Sequence, residues 1–141
     1  MTGPIIGNVT FDCSDANRLA DFWAAALGWE KEDVPRELLD VIERELGPDQ
    51  TNFAAVRNPD GTRPRLYFQG VPEDKVVKNR VHLDIVVPDM DAEVGRLIGL
   101  GASMVERRSH EAGDFFEEWT VMQDSEGNEF CVQPSRGSTE V

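Results

Sequence analysis

The feature that most constrains this chain is a repeated passage from strand to helix. Asn8-Val-Thr-Phe-Asp-Cys-Ser-Asp15 leads into one helical pattern, and His82-Leu-Asp-Ile-Val-Val-Pro-Asp89, beginning 74 residues later, leads into a second. Self-similarity at a fixed period means that one supersecondary unit has been used twice. Both passages end in Asp, whose carboxylate accepts the free N–H groups of a first helical turn. The spacing predicts helices from about Ala16 to Leu27 and from about Asp91 to Leu100. Leu19, Phe22, Trp23 and Ala26 share one face of the first, and Val94, Leu97 and Ile98 one face of the second. Each closes on a Leu-Gly pair, Leu27-Gly28 and Leu100-Gly101, where glycine suits a left-handed terminal residue.

The later parts of the two halves also match. The turns Asn58 to Thr62 and Asp124 to Asn128 each carry a glycine and are followed by strands, Arg65 to Gln69 and Glu129 to Gln133. Strand-like runs precede them, Thr51 to Arg57 and Glu118 to Gln123. The half-modules therefore span about 5–70 and 79–134, with a connector at about 70–79. An insertion from Lys31 to Pro48 reads as a helix around Arg36 to Leu46. One half alone exposes a strand edge and an apolar sheet face, and two halves side by side bury both. A single α+β domain over residues 1–141 is expected. The charged stretch Glu106 to Asp114 reads as a loop, with His110 exposed in it and able to serve as part of a lid.

Composition removes several function classes. The 27 Asp and Glu against 14 Lys and Arg give a formal charge of −13, a field that repels nucleic acid and anionic membranes. No apolar run approaches the ~20 residues of a membrane helix. The opening residues lack a signal-peptide pattern, so a cytoplasmic location is expected. Cys13 and Cys131 make no C-x-x-C pair and are expected as reduced thiols.

Strand alternation gives a list of residues facing away from the helices. On the opening strands these are Asn8, Thr10 and Asp12, then His82, Asp84 and Val86. On the closing strands they are Arg65, Tyr67 and Gln69, then Cys131 and Gln133. His82 and Asp84 point the same way and can act as an acid–base pair, with Arg65 a candidate partner for Asp84. The same residues also read as structural hydrogen-bonding groups. Trp29, Phe53, Tyr67 and Trp119 are candidate walls.

The marks Val81 to Asp89, Leu27-Gly28-Trp29, Leu100-Gly101-Ala102 and Asp124 to Phe130, in this order, resemble the vicinal-oxygen-chelate superfamily of glyoxalases, bleomycin-resistance proteins and extradiol dioxygenases. The resemblance runs from about Ile5 to Gln133. It implies two βαβββ modules paired into a curved mixed sheet enclosing a cleft. In metal-dependent relatives, first and last strands of both modules hold a divalent ion. The matching positions here are Asn8, His82, Tyr67 (or Gln69) and Cys131. Asn and Tyr are poor ligands for a hard or borderline cation, so loss of the family's metal is expected. If an ion binds, His82 and Cys131 are its ligands.

The resemblance implies a small-molecule enzyme of lyase, isomerase or dioxygenase type, with His82 and Asp84 as catalytic groups. Asn8, Thr10, Asp12, Arg65, Tyr67, Gln69, Trp119, Cys131 and Gln133 would contact the substrate. The alternative is a metal-free drug- or small-molecule-binding protein of the bleomycin-resistance type. A homodimer, with no nucleic-acid or membrane partner, is expected in either case.

Overall fold

The computed structural model describes residues 3–135. The chain divides between Asp74 and Lys75 into two compact units. Each has a four-stranded mixed sheet whose first and last strands lie parallel at its centre or edge in the same way.

In the first unit the elements run β1 (Asn8–Cys13), α1 (Ala16–Leu27), β2 (Glu30–Lys31), α2 (Arg36–Leu46), a 3-10 turn (Pro48–Thr51), β3 (Phe53–Arg57) and β4 (Arg65–Gly70). The strand order is β1-β4-β3-β2, with β1 parallel to β4 and the other pairs antiparallel. Alternation along β1 sends Val9, Phe11 and Cys13 toward α1. Phe11 meets Trp23 and Phe68 at ring-centroid distances of 5.5 and 5.1 Å. Leu19, Ala20, Phe22, Trp23 and Ala26 bury the helix stripe against Val56, Leu66 and Phe68. Asp15 caps α1 by accepting the Arg18 N–H at 3.1 Å, and Gly28 closes it at φ 67°. The Asn52 side chain ties the helix start to the sheet. Its Oδ1 accepts from the Ala16 N–H at 3.0 Å, and its Nδ2 donates to the Ser14 carbonyl at 2.8 Å. The insertion helix α2 forms where its stripe predicts. It buries no residue completely, and Leu38, Val41 and Leu46 stay exposed.

The second unit runs β5 (Asp84–Val87), α3 (Met90–Gly99), β6 (Ser103–Ala112), β7 (Phe115–Gln123) and β8 (Glu129–Pro134). Its order, β5-β8-β7-β6, repeats the plan of the first sheet, again with a parallel pair, β5 with β8. Leu97 and Met90 of α3 pack with Val87, Thr120, Met122, Phe130 and Val132 as the buried layer. Asp89 caps α3 through the Ala92 N–H at 3.1 Å. The buried Asp124 carboxylate holds the last turn by accepting from the N–H groups of Glu126 and Asn128 and from Asn128 Nδ2.

The expected loop from Glu106 to Asp114 is instead the outer half of a long hairpin. β6 continues to Ala112 and pairs antiparallel with β7, with one register shift between Met104 and Glu106. The reason is cross-strand charge pairing. Arg107 binds Glu118 at 3.2 Å and His110 binds Glu117 at 3.0 Å, so a strand of mostly charged residues is stabilised by its neighbour without any apolar alternation. His110 therefore sits on a paired strand and not on a lid. Among the described residues, no helix is long and apolar enough to cross a membrane.

Candidate functional site

In β8, Phe130 and Val132 turn toward α3, so Glu129, Cys131 and Gln133 turn to the other face. Register then fixes their neighbours. Cys131 lies between Asp84 of β5 and Val121 of β7, and Arg108 of β6 lies opposite Trp119. These side chains, with His82, Gln133, Glu117, Glu129 and Lys78, line a cavity of about 360 Å³ on this face. The volume is within the range of small-molecule sites. Four residues expected from alternation, His82, Asp84, Cys131 and Gln133, are thus brought together with the candidate wall Trp119.

At the centre of the cavity the ligand-type atoms of His82, Asp84 and Cys131 all lie within 4.8 Å of one another. His82 Nδ1 is 3.7 Å from Asp84 Oδ1, an ion-pair distance too long for a direct hydrogen bond. Cys131 is buried, and burial pushes its thiol pKa up; the Asp84 charge adds to that shift, while Lys78 opposes it. Without a cation the sulfur is therefore a protonated thiol and a poor nucleophile. Alkylation of Cys131 by iodoacetamide should be slow, and Asp84→Asn should speed it several-fold by removing the nearby negative charge. Mass-spectrometric rates in a Cys13→Ala background check this; an unchanged or slower rate in Asp84→Asn would count against it.

The three donors fit a borderline divalent ion. A tetrahedral zinc site has bonds of ~2.0–2.3 Å and so separates its ligand atoms by about 3.5 Å. The three ligand atoms here lie within 4.8 Å of one another, and the His82 and Asp84 side chains are partly solvent-exposed. A bound cation would also reverse the effect of burial on the thiol. An ion here would meet Asp84 as well as His82 and Cys131, the two ligands expected from sequence if an ion binds.

Glu129 borders the same cavity but its carboxylate is engaged. It accepts the Asn79 N–H at 2.9 Å and meets Lys75 Nζ at 3.0 Å. Burial alone would raise its pKa, but the Asn79 backbone bond and the Lys75 ammonium outweigh it and hold the group down at about 2. The segment before β5 is thus fastened to β8.

In the first unit, Asn8, Thr10 and Asp12 face the same side of the sheet as their register partners Arg65, Tyr67 and Gln69. They form a polar ladder of local bonds. Arg65 donates to Asn8 Oδ1 at 2.8 Å and to Glu32 at 2.6 Å, and Gln69 donates to Asp12 at 3.1 Å. Phe53 stacks on Tyr67 with centroids 6.3 Å apart. Within the first unit Arg65 pairs with Glu32, and within the second His82 lies beside Asp84. Alternation gave no hint of Glu32, which lies outside any strand.

Sequence reasoning missed Lys78, Arg108, Glu117, Val121 and Glu129 in the cavity. Glu129 was available from alternation, two residues before Cys131. Arg108 and Glu117 needed the β6–β7 register, which the loop assignment of β6 hid.

A family model described as a glyoxalase-like domain matches residues 8–133. No curated protein matches the chain. Among solved structures, a glyoxalase/bleomycin resistance protein/dioxygenase family enzyme from Burkholderia phytofirmans shares 15% identity at a TM-score of 0.63, over 93% of this chain and 98% of its own. A member of the same superfamily from Sphaerobacter thermophilus shares 18% at 0.63, over 96% and 100%. The fosfomycin resistance protein FosX from Listeria monocytogenes shares 12% at 0.66, over the full length of both chains. At these identities the likeness is one of fold.

Proposed function

The chain belongs to the glyoxalase-like domain family, and on that premise we propose that it is a small-molecule enzyme of lyase, isomerase or dioxygenase type whose reacting centre is His82, Asp84 and Cys131. The observation that carries this reading is the meeting of imidazole, carboxylate and thiol within 4.8 Å in a cavity large enough for a ligand. His82, Asp84 and Cys131 would hold a divalent ion, which when bound supplies Lewis-acid polarisation of a ligand oxygen. Asp84 lies beside Nδ1 of the His82 ring, 3.7 Å away. The other ring nitrogen, Nε2, is then the atom that exchanges a proton with a ligand when no ion occupies the ring. Trp119 and Val121 wall the site and limit water on one side.

Co²⁺ and Zn²⁺ titration of untagged protein tests the reading. Co²⁺ should bind at one equivalent and give a thiolate-to-metal charge-transfer band. Cys131→Ser should abolish the band and weaken affinity by about tenfold or more, the usual scale for losing a contributor to a metal site. Absence of stoichiometric binding would sink the metal-holding role.

A second reading, metal-free small-molecule binding, is favoured by one observation, the raised pKa of Cys131, which keeps the sulfur protonated. It predicts ligand-induced thermal stabilisation that is unchanged by chelator.

A further inference from the structure

Charge pairing inside the cavity is unequal, although the chain as a whole carries −13. Its three carboxylates each lie beside a basic side chain. Asp84 has His82 at 3.7 Å, Glu117 has His110 at 3.0 Å, and Glu129 has Lys75 at 3.0 Å together with the Asn79 N–H. The cations are less committed. Lys78 has no ion pair among the described residues. Arg108 has only Glu106, at 3.6 Å with both side chains more than half exposed, a pair of the kind that contributes little and exchanges freely with solvent. Each carboxylate thus has a basic neighbour, and two cations are available to a ligand.

Of the two cations, Arg108 is the better placed. Its guanidinium lies 5.9 Å from the centre of the Trp119 ring, which holds the planar group on the cavity wall. A guanidinium fork offers two parallel N–H donors to a carboxylate or phosphonate. β6 is two strands from β8, and Arg108 lies two residues along from the position level with Cys131, so at ~4.8 Å per strand and ~3.4 Å per residue the two backbones are about 12 Å apart. Side chains shorten that gap to the length of a small molecule.

Resting on the assignment of the reacting centre above, we propose that Arg108 is the specificity-determining residue of this cavity. It binds the anionic oxygen group of a small substrate whose other end lies over His82, Asp84 and Cys131. The substrate class is a small carboxylate, phosphate or phosphonate. Lys78 adds a favourable field from the connector side without needing direct contact. The local pairs explain how a strongly acidic protein admits an anion, because screening leaves the nearest charges in control over a few ångströms.

The test uses benzoate, phenylphosphonate and the neutral isostere benzamide, followed by the NMR shift of the Trp119 indole N–H, assigned with Trp119→Phe. At least one anion should give a saturable shift, and benzamide should not. Arg108→Gln should raise the anion dissociation constant about tenfold or more, and Arg108→Lys should fall between the two. The relative affinities of the two anions identify which oxygen group the site prefers. Benzamide binding as tightly as the anions would overturn the proposal, as would an Arg108→Gln affinity within twofold of wild type or no saturable shift from either anion. Co²⁺ binding by Arg108→Gln separates this inference from the one it rests on. Retained Co²⁺ binding with lost anion binding supports Arg108 as the anion residue. Absent Co²⁺ binding in wild type with intact anion selectivity overturns only the metal-holding centre.

Discussion

Gly70→Ala is expected to destabilise the first unit by about 2 kcal/mol. Gly70 ends β4, and its N–H donates to the Asn52 carbonyl at 2.8 Å. A Cβ there would run into the Asn52 side-chain amide. That amide is not free to swing aside, because it bonds both the Ala16 N–H and the Ser14 carbonyl at the start of α1. Either the amide leaves and two hydrogen bonds of about 1 kcal/mol each are lost, or β4 shifts at an overpacking cost of about 1–3 kcal/mol. Urea denaturation measures the effect. The double variant Asn52→Ala/Gly70→Ala should be scarcely less stable than Asn52→Ala alone, since the collision is gone. A Gly70→Ala protein within about 0.5 kcal/mol of wild type would show that the amide relaxes without loss.

Glu129→Gln is expected to cost about 2 kcal/mol at neutral pH and to remove a step from the acid stability profile. The carboxyl titrates at about 2 in the folded chain against 4.5 as its ordinary value. The sign follows from the lowered value. The unfolded chain binds the proton more readily, so this stabilisation is fully present above pH 4.5 and drains away as pH falls from there to about 2. The linkage limit for such a shift is about 3 kcal/mol, and solvent reaching the half-buried carboxylate reduces it. Unfolding free energy measured by denaturant across the acid range should show the step in wild type and lack it in Glu129→Gln. Parallel profiles for the two proteins would remove Lys75 and Asn79 as the cause. The same variant should loosen the segment 75–79 from β8, visible as faster amide exchange at Asn79, whose N–H the carboxylate accepts.

The site was partly legible before the structure, and the reasons differ residue by residue. His82, Asp84, Cys131 and Gln133 followed from period-two alternation on strands whose other face is plainly apolar. Trp119 came from a less direct argument, as an aromatic near the closing strands. Arg108 could not be found that way. It belongs to β6, all of whose residues are exposed, so neither face carries an apolar signal. What makes β6 a strand is its partner: nine residues pair with β7, and Arg107 and His110 meet carboxylates on the other strand. Glu129 was in the sequence at the right spacing, but its low pKa depends on Asn79 and Lys75, 50 and 54 positions before it and outside any strand.

The sequence by itself determined the repeated strand–helix–strand plan, the caps at Asp15 and Asp89, the glycine closure at Gly28, and the buried stripe of α1. These are local consequences of hydrogen-bonding chemistry and of side-chain period, and they need no distant partner. Tertiary structure alone decided which charges answer one another. Arg65 bonds Asn8 and Glu32, His82 stands beside Asp84, and Glu129 is held by the connector. An ion pair falls off within a few ångströms and depends on register between strands remote in sequence. The physical reason is therefore one of range. Backbone caps and apolar periodicity are written within a few residues, whereas the charge balance of a cavity exists only after the strands that line it have been laid side by side.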